Sequence, residues 1–531
     1  MRYLPLSQPL NLACLPLAVA VSIAFSGAAF AGSITETTSF EYDPVTGYRT
    51  AVVQEPDNPQ LNLRTSFTYD GFGNRRTTSV SSTATGSAAI EARTVETLNY
   101  DSAHPVMPTL STNALGQSVP FGFDVMNMPA YINGLNNIKT SFVFDRFRRK
   151  KSETNEVTGI TTLWTYYICG TKSFGPASTC PSRARYATTK QIYQLPSGLT
   201  PAPTEYTYYD EAGRVVRSQT VGFDGVSLIT QDTEYDSLGR VARVSRPYYP
   251  NVTIQWTTNT YDALGRLIVS TTPDNRQIKT SYNGLRTTLT NPLNQNRTSV
   301  LNAAGQLVQV IDHQNNAINY KYDAQGNLAQ TIDPKGNTVS ISYDARGRKT
   351  SIADPDQGTV RFEYDALGQL LKQTDAKNNV TTFSYDLLGR LLKRTEADLV
   401  STWAYDKCGA KGKLCTVSAD NGFATSYSYD SLMRPYFVST TVDVAYNTTT
   451  TYDILNRVAT QSFPTGLVLK YVYTSLGYLS EVRNNANNKL YWRANARDAE
   501  GHLTQQTYGM MLAGLGALAF AARRKSSQKL G

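Results

Sequence analysis

An aspartate recurs at the same position in a series of similar segments, and carboxylates are common acids and bases in enzymes. The segment Tyr-Asp-Ala-Leu-Gly-Arg-Leu begins at Tyr261 with Asp262, and near-copies carry Asp323, Asp344, Asp365 and Asp386. Acid–base catalysis needs one special pair of carboxyl groups with divergent pKa values. An aspartate present in every copy does not provide such a pair. We therefore predict that these aspartates are structural, and that the chain has no catalytic residues.

The other residues that often perform chemistry also lack the pattern of a reactive site. Only 3 histidines occur, which argues against a histidine-based metal or acid–base site. Cys169, Cys180, Cys408 and Cys415 are too widely spaced for a typical zinc site and have no histidine nearby. A catalytic cysteine would lack a local base. With no glycine-rich phosphate loop, zincin helix or nucleophile elbow, we predict no enzyme activity, no bound metal and no cofactor.

The spacing of the segments predicts a repeated β-hairpin. Tyr322, Tyr343, Tyr364 and Tyr385 are spaced by 21 residues each, a period typical of repeat architectures. Aspartate favours the first position of a type I turn, and glycine supplies the left-handed conformation that ends a three-residue hairpin loop. Alternating Tyr, Phe and Leu positions flank this loop, as in strands. A lone hairpin is only marginally stable, so neighbouring hairpins must pair.

We therefore predict an all-β fold in which tandem hairpins form a long, coiled antiparallel sheet. Some copies depart from the pattern. Asn456 replaces the turn glycine in one copy and tolerates the left-handed region, whereas Met433 should be strained or use a different turn. Asn283-Gly284 predicts a two-residue type I′ turn.

The motif Tyr-Asp-x-x-Gly-Arg-Leu at this period resembles the YD repeats of RHS proteins. That family includes wall-associated and polymorphic-toxin proteins, shell components of insecticidal toxin complexes, and the teneurins. The resemblance covers about Glu205 to Gly501 well, and residues 40–150 loosely. It implies a partial YD shell. RHS toxins usually carry, after the repeats, a core segment that releases a C-terminal toxin, and we find no such segment in this sequence.

The N-terminal residues 1–31 have the pattern of a secretory signal peptide. Arg2 gives a positive start, an apolar run predicted to be helical extends from Leu15 to Phe25, and Ala29-Phe30-Ala31 forms a small-x-small cleavage site. The alternative is a membrane anchor that is not cut. We predict three further regions, which are a degenerate repeat region with a disulfide loop at 32–204, a regular array at 205–501 and a tail at 502–531.

The tail combines an apolar run at 509–522, predicted to form a short helix, with Arg523-Arg524-Lys525 directly after it. A helix of this length spans about 21 Å, less than the bilayer core of about 30 Å. The pattern closely resembles PEP-CTERM sorting signals of Gram-negative bacteria, which exosortase-type enzymes recognise and remove. The Pro-Glu-Pro expected upstream is replaced by Leu503-Thr504-Gln505, so retention in the membrane by 509–522 is the alternative.

Export of the chain bears on the four cysteines outside the leader. Disulfides form in exported proteins, and four cysteines allow three connectivities. We predict local pairing of Cys169 with Cys180 and of Cys408 with Cys415.

The net charge of +9 does not indicate a nucleic-acid partner. Five positive charges lie in the leader and tail, which contain no acidic residue, and this leaves +4 for the rest of the chain. The remaining basic residues are dispersed among acidic ones, unlike the concentrated face that nucleic-acid binding needs. The cluster from Arg146 to Lys151 is interpreted as a solvated hairpin edge that discourages aggregation, with an anionic partner as the alternative.

Two classes of function follow, with a third behind them. The first is an exported, non-enzymatic repeat scaffold of the cell envelope or extracellular matrix that contacts polysaccharide or a cell-surface protein. The second is a partial RHS shell of a toxin-delivery system that lacks its toxin domain. The third is a hydrolase within residues 80–200.

Overall fold

The computed structural model describes residues 36–170, 180–194 and 202–509. The predicted signal peptide at 1–31 and the tail from residue 510 onwards lie outside these residues. Within the described part of the chain, no helix has the length and apolar character needed to cross a membrane.

The described residues form 40 strands in one antiparallel sheet, with one 3₁₀ turn at Gly86–Ala88. The first strands are β1 (Thr38–Tyr42), β2 (Arg49–Gln54), β3 (Leu63–Tyr69), β4 (Arg75–Ser81), β5 (Arg93–Tyr100), β6 (Pro108–Asn113), β7 (Ser118–Phe123), β8 (Pro129–Asn133), β9 (Lys139–Phe144), β10 (Lys150–Asn155), β11 (Ile160–Ile168), β12 (Tyr186–Gln194), β13 (Glu205–Tyr209) and β14 (Val215–Val221). The next are β15 (Leu228–Tyr235), β16 (Val241–Ser245), β17 (Trp256–Tyr261), β18 (Leu267–Thr271), β19 (Gln277–Asn283), β20 (Arg286–Thr290), β21 (Asn296–Leu301), β22 (Leu307–Ile311), β23 (Ala317–Tyr322), β24 (Leu328–Ile332), β25 (Thr338–Tyr343), β26 (Lys349–Asp354) and β27 (Gly358–Tyr364). The last are β28 (Leu370–Thr374), β29 (Val380–Tyr385), β30 (Leu391–Thr395), β31 (Val400–Tyr405), β32 (Leu414–Ala419), β33 (Ala424–Tyr429), β34 (Pro435–Thr441), β35 (Ala445–Tyr452), β36 (Val458–Ser462), β37 (Val468–Tyr473), β38 (Leu479–Asn484), β39 (Leu490–Arg497) and β40 (Leu503–Tyr508). The predicted all-β fold of tandem hairpins is confirmed.

The chain divides into two compact units. The first combines residues 36–121 with 300–402, and the second combines residues 122–299 with 403–509. Within each unit, strands that follow one another in sequence pair as antiparallel neighbours, as β24 pairs with both β23 and β25. Each unit is therefore built from two stretches of chain that are far apart in sequence.

Burial alternates along the strands, as the predicted hairpins require. In β29, Thr381, Phe383 and Tyr385 are partly buried, whereas the residues between them are exposed. A cluster of buried residues lies in the second unit around Tyr208 and Ala187, which are both fully buried. Successive side chains of a strand point to opposite faces of the sheet, and here the buried face carries small and aromatic side chains.

The region predicted to be a degenerate repeat contributes β1 to β12, and β40 lies past the predicted array boundary at 501. One turn departs from the expectation. The predicted type I′ turn at Asn283-Gly284 is wrong. Asn283 ends β19 and pairs with Arg286, so the two loop residues are Gly284 and Leu285. Only Gly284 has a positive φ, at 56°, which is the pattern of a type II′ turn.

Candidate functional site

The repeated Tyr-Asp segment forms a turn that is held by its own aspartate. Asp262 Oδ1 accepts hydrogen bonds from the backbone N–H groups of Leu264 and Arg266, each at 2.9 Å. The N–H of Gly265 donates to the carbonyl oxygen of Asp262 at 3.0 Å, and Gly265 has a φ of +79°. A type I turn followed by a left-handed glycine is the predicted three-residue loop. That prediction is confirmed.

Where an arginine follows the turn glycine, it links the turn to the next hairpin. Arg266 Nε donates to Asp262 Oδ2 at 2.7 Å, and its guanidinium carbon lies 4.2 Å from the ring centre of Tyr282. The hydroxyl of Tyr282 donates back to the carbonyl oxygen of Leu267 at 3.2 Å. We call this chain of contacts the turn ladder. In the second unit, guanidinium-over-tyrosine contacts at 4.1 to 4.6 Å recur at Arg149–Tyr166, Arg214–Tyr235, Arg240–Tyr261, Arg434–Tyr452 and Arg457–Tyr473.

The turn ladder gives the repeated aspartates one shared role. The backbone N–H and then the guanidinium of Arg266 hold the pKa of Asp262 below its usual value. The same donors, from Arg240, lower the pKa of Asp236. A carboxylate that is ionised and bonded within its own turn cannot act as a general acid at neutral pH. The geometry therefore assigns these aspartates to turn formation.

The turns at the other ends of the strands form a second set, which was not predicted from the sequence. Asp333 Oδ1 accepts from the backbone N–H groups of Lys335 and Asn337, each at 2.8 Å, and Asp333 Oδ2 accepts from the side-chain amide of Asn337 at 2.7 Å. This amide lowers the pKa of Asp333. The signal was present in the sequence, because aspartates recur every 21 residues at Asp312, Asp333, Asp354 and Asp375. In this second set an asparagine side chain also bonds Asp312 and Asp375, as it does Asp333.

One known family model matches part of this array. The family model described as the teneurin YD-shell matches residues 285–409 and 335–510. These residues form a YD-repeat array. No curated protein matches the sequence.

Solved structures match the YD array over most of the chain. The crystal structure of TcdB2-TccC3 without its hypervariable C-terminal region aligns with a TM-score of 0.72 at 13% identity, and it covers 89% of this chain and 33% of that chain. The Tc holotoxin pore of Photorhabdus luminescens aligns with a TM-score of 0.65 at 14% identity, over 92% of this chain and 30% of that chain. At such low identity the likeness establishes the fold. This chain spans about a third of the length of the structures it matches.

One YD turn in the first unit is buried instead of exposed. Ala366 is 0% exposed, and its N–H donates to the carbonyl oxygen of Ala88 at 3.1 Å. Position 369, where several other copies have arginine, holds a glutamine whose backbone N–H donates to Asp365 Oδ1 at 2.8 Å. Burial of Asp365 raises the pKa of its carboxyl group, although backbone N–H groups oppose this effect. Asp365 is a turn residue like the others, but its charge costs folding free energy.

Arg346 holds the buried turn in place. Its guanidinium donates to the carbonyl oxygen of Ala366 at 2.5 Å, to the carbonyl oxygen of Leu61 at 3.4 Å and to the side-chain oxygen of Gln54 at 3.3 Å. Burial lowers the pKa of Arg346. These bonds join the two stretches of chain that make up the first unit.

The cysteines pair locally, as predicted, in two disulfides that join Cys169 to Cys180 and Cys408 to Cys415. The second disulfide encloses a loop in which Lys411 exchanges two hydrogen bonds with Asn136. The Lys411 N–H donates at 2.8 Å and its carbonyl oxygen accepts at 2.9 Å. This disulfide therefore shapes a loop that joins the two stretches of the second unit.

The basic cluster near residue 148 is largely engaged within the sheet. Arg149 pairs with Asp145 at 2.7 Å and stacks on Tyr166, while Lys150 pairs with Glu153 at 2.9 Å. Arg148 takes the left-handed position that glycine holds in other copies, with a φ of 61°. Most of the cluster thus belongs to a YD turn.

One group of potential metal ligands lies among the described residues. Atoms of Asp498, Glu500 and His502 lie within 4.8 Å of one another. Asp498 Oδ1 accepts from the backbone N–H groups of Glu500 and His502, at 3.0 and 2.8 Å. The hydrogen bonds of a YD-type turn therefore account for this grouping.

Proposed function

We propose that the chain is an exported, non-enzymatic scaffold of the cell envelope or extracellular matrix, which uses its long sheet to contact polysaccharide or a cell-surface protein. The observation that carries this proposal is the shared role of the repeated aspartates. In turn after turn the carboxylate is bonded to backbone N–H groups of its own loop, as at Asp262 and Asp333. The repeated polar residues therefore maintain the fold, and an extended repeat surface suits binding to a partner better than catalysis.

Two features support export. The N-terminal residues have the pattern of a signal peptide, and the two disulfides fit an oxidising compartment. The test is mass-tagging of thiols in intact cells that express the full chain, combined with protease treatment of the cell surface. Export predicts that Cys169, Cys180, Cys408 and Cys415 resist the tag until reduction, and that surface protease digests the protein. A reduced, protease-protected protein in the cytosol would contradict the proposal.

The fate of the C-terminal tail is a separate part of the proposal. We infer that residues 509–522 hold the chain at the inner membrane until a sorting enzyme of the exosortase type removes them. Mass spectrometry of the mature protein tests this, because removal predicts loss of all peptides from the basic cluster at 523–525. Full-length protein in the membrane fraction would instead support retention.

A second function is favoured by one observation, the alignment of 89% of this chain with a third of the TcdB2-TccC3 crystal structure. Under this alternative the chain is a partial RHS shell that encloses a polypeptide encoded elsewhere. The product of a neighbouring gene, mixed with the full chain, would then co-elute with it and gain protection from protease. Absence of both effects, together with surface exposure on intact cells, favours the scaffold.

A further inference from the structure

The connection from β16 to β17 breaks the regular array. Most connections between successive strands of the YD array have five residues, but the connection at residues 246–255 has ten. Its ends are joined by a hydrogen bond from the N–H of Arg246 to the carbonyl oxygen of Gln255, at 2.8 Å. Compact loops with joined ends are frequently functional, because they present side chains on a fixed scaffold.

Two tyrosines fix this loop to the sheet. Tyr248 donates from its hydroxyl to Asp232 Oδ2 at 2.6 Å and exchanges two backbone hydrogen bonds with Thr230, at 2.8 and 2.9 Å. Burial and the neighbouring Asp232 raise the pKa of Tyr248 to about 12, so this hydroxyl keeps its proton at neutral pH. Tyr249 packs against Gly222, because a Cβ atom added to Gly222 would lie only 2.6 Å from the hydroxyl oxygen of Tyr249. The loop is therefore held in one position.

The anchored loop borders two adjoining hollows in the second unit, with volumes of about 520 and 350 Å³. Arg246, Thr253 and Gln255 line both hollows, which therefore adjoin along the loop, and we call the two hollows together the groove. Trp256 and Asp274 line the first hollow, and Glu500 lines the second. Arg243 stacks on the Trp256 ring at 4.3 Å, which holds this aromatic side chain in the groove wall.

Several polar groups of the groove are available to a ligand. Among the described residues, neither the indole N–H of Trp256 nor the side-chain amide of Gln255 has a hydrogen-bond partner. The same holds for the side-chain amide of Asn275. Asp274, which pairs with Arg276 at 2.9 Å, and Glu500, which lies 3.9 Å from Arg246, add carboxylate oxygens to the lining. Such a lining offers donors, acceptors and three aromatic rings, which are those of Trp256, Tyr248 and Tyr249.

This chemistry matches a sugar chain better than a peptide. A pyranose ring has an apolar face that packs on an aromatic side chain and an edge of hydroxyl groups that bond to amides and carboxylates. A bound peptide instead needs an exposed sheet edge or pockets for apolar side chains. The lining of this groove is mainly hydroxyl, amide and charged groups, with Ile254 and Val252 among its few aliphatic residues.

We propose that this groove binds an oligosaccharide, with Trp256 as the stacking surface and with Gln255, Asp274 and Glu500 as partners of its hydroxyl groups. The inference deepens the proposed function, because it names a site and a ligand class for the surface contact of the scaffold.

The test uses the full chain and isothermal titration calorimetry with three probes, which are chitotetraose, cellotetraose and an alginate tetramer. We expect at least one probe to bind, Trp256→Ala to weaken that binding by about tenfold or more, and Gln255→Ala to weaken it by about threefold. The matched control is Trp492→Ala. Trp492 lies outside the groove, and its indole N–H donates to Gln506 at 3.0 Å. This control should bind like the wild type.

Three results would overturn the inference. They are no binding of any probe, equal binding by the Trp256→Ala variant, or binding of reduced, carboxymethylated lactalbumin at the groove in place of the sugars. Circular dichroism and thermal unfolding confirm that each variant is folded. Surface exposure of the wild-type chain is measured separately, so a failure of sugar binding is distinguished from a failure of the scaffold proposal.

Discussion

The same five residues, Tyr-Asp-Ala-Leu-Gly, occur at 261–265 and at 364–368, in two different surroundings. In the first turn Ala263 is exposed, and Arg266 pairs with the aspartate. In the second turn Ala366 is fully buried, and the arginine position holds Gln369. The pKa of the aspartate is lowered in the first turn and raised in the second. The motif therefore sets the turn, and the neighbours of the turn set its charge.

The largest expected difference between the two turns concerns the alanine. The next repeat has leucine at this position, so Ala366→Leu introduces a side chain that the motif itself accepts. Because Ala366 has no exposed surface, we expect this change to destabilise the protein by about 2–3 kcal/mol. The matched Ala263→Leu change should stay within about 0.5 kcal/mol. Urea unfolding measures both, and equal effects would show that the buried turn is not packed as described.

The next effect concerns the arginine that holds the buried turn. Arg346→Ala leaves the carbonyl oxygens of Leu61 and Ala366 without their guanidinium donor, and we expect a loss of about 2 kcal/mol. Leu264 occupies the equivalent position in the exposed turn and is 77% exposed, so Leu264→Ala is the control with little effect. Hydrogen exchange near Leu61 should speed up in the arginine variant only. Unchanged exchange there would mean that Arg346 does not join the two stretches of chain.

These two turns also show how far sequence analysis reaches. The turn geometry, the hairpins and the local disulfides follow from residues that are close in sequence, and all three were predicted. The burial of Asp365 was not predicted, because its turn is held by Arg346, whose partner Leu61 lies 285 residues away. The second set of turns could have been predicted from its own series of aspartates, which recur every 21 residues.

A smaller effect tests the glycine position of the motif. Met433 replaces the glycine in one copy, where we predicted either strain or a different turn. The turn is the same, because the Met433 N–H donates to the carbonyl oxygen of Asp430 at 2.9 Å. Met433 has a φ of 60°, so the residue is strained. Met433→Gly should therefore stabilise the protein by about 0.5–1 kcal/mol, because the left-handed conformation is unfavourable for a residue with a Cβ atom. Asn456→Gly is the control with a smaller gain, since asparagine tolerates a φ of 65°. Thermal unfolding compares them, and a loss of stability in Met433→Gly would contradict the assigned strain.

The pH dependence of stability distinguishes the two aspartates by sign. A lowered pKa means that Asp262 stabilises the fold above its unfolded pKa of about 3.9, and that this contribution is lost as the pH falls through the folded pKa. A raised pKa means that ionisation of Asp365 weakens the fold as the pH rises from about 3.9 through the folded value.

The most direct measurement is therefore the unfolding free energy of the wild type, Asp262→Asn and Asp365→Asn, from pH 3 to pH 7. We predict that Asp262→Asn is less stable than the wild type at pH 7 and approaches it in acid. We predict that Asp365→Asn is at least as stable as the wild type at pH 7, with an advantage that disappears as the pH falls. Two variants with the same loss and the same pH profile would contradict the claim that one turn motif serves as structure in both places while its neighbours decide the charge.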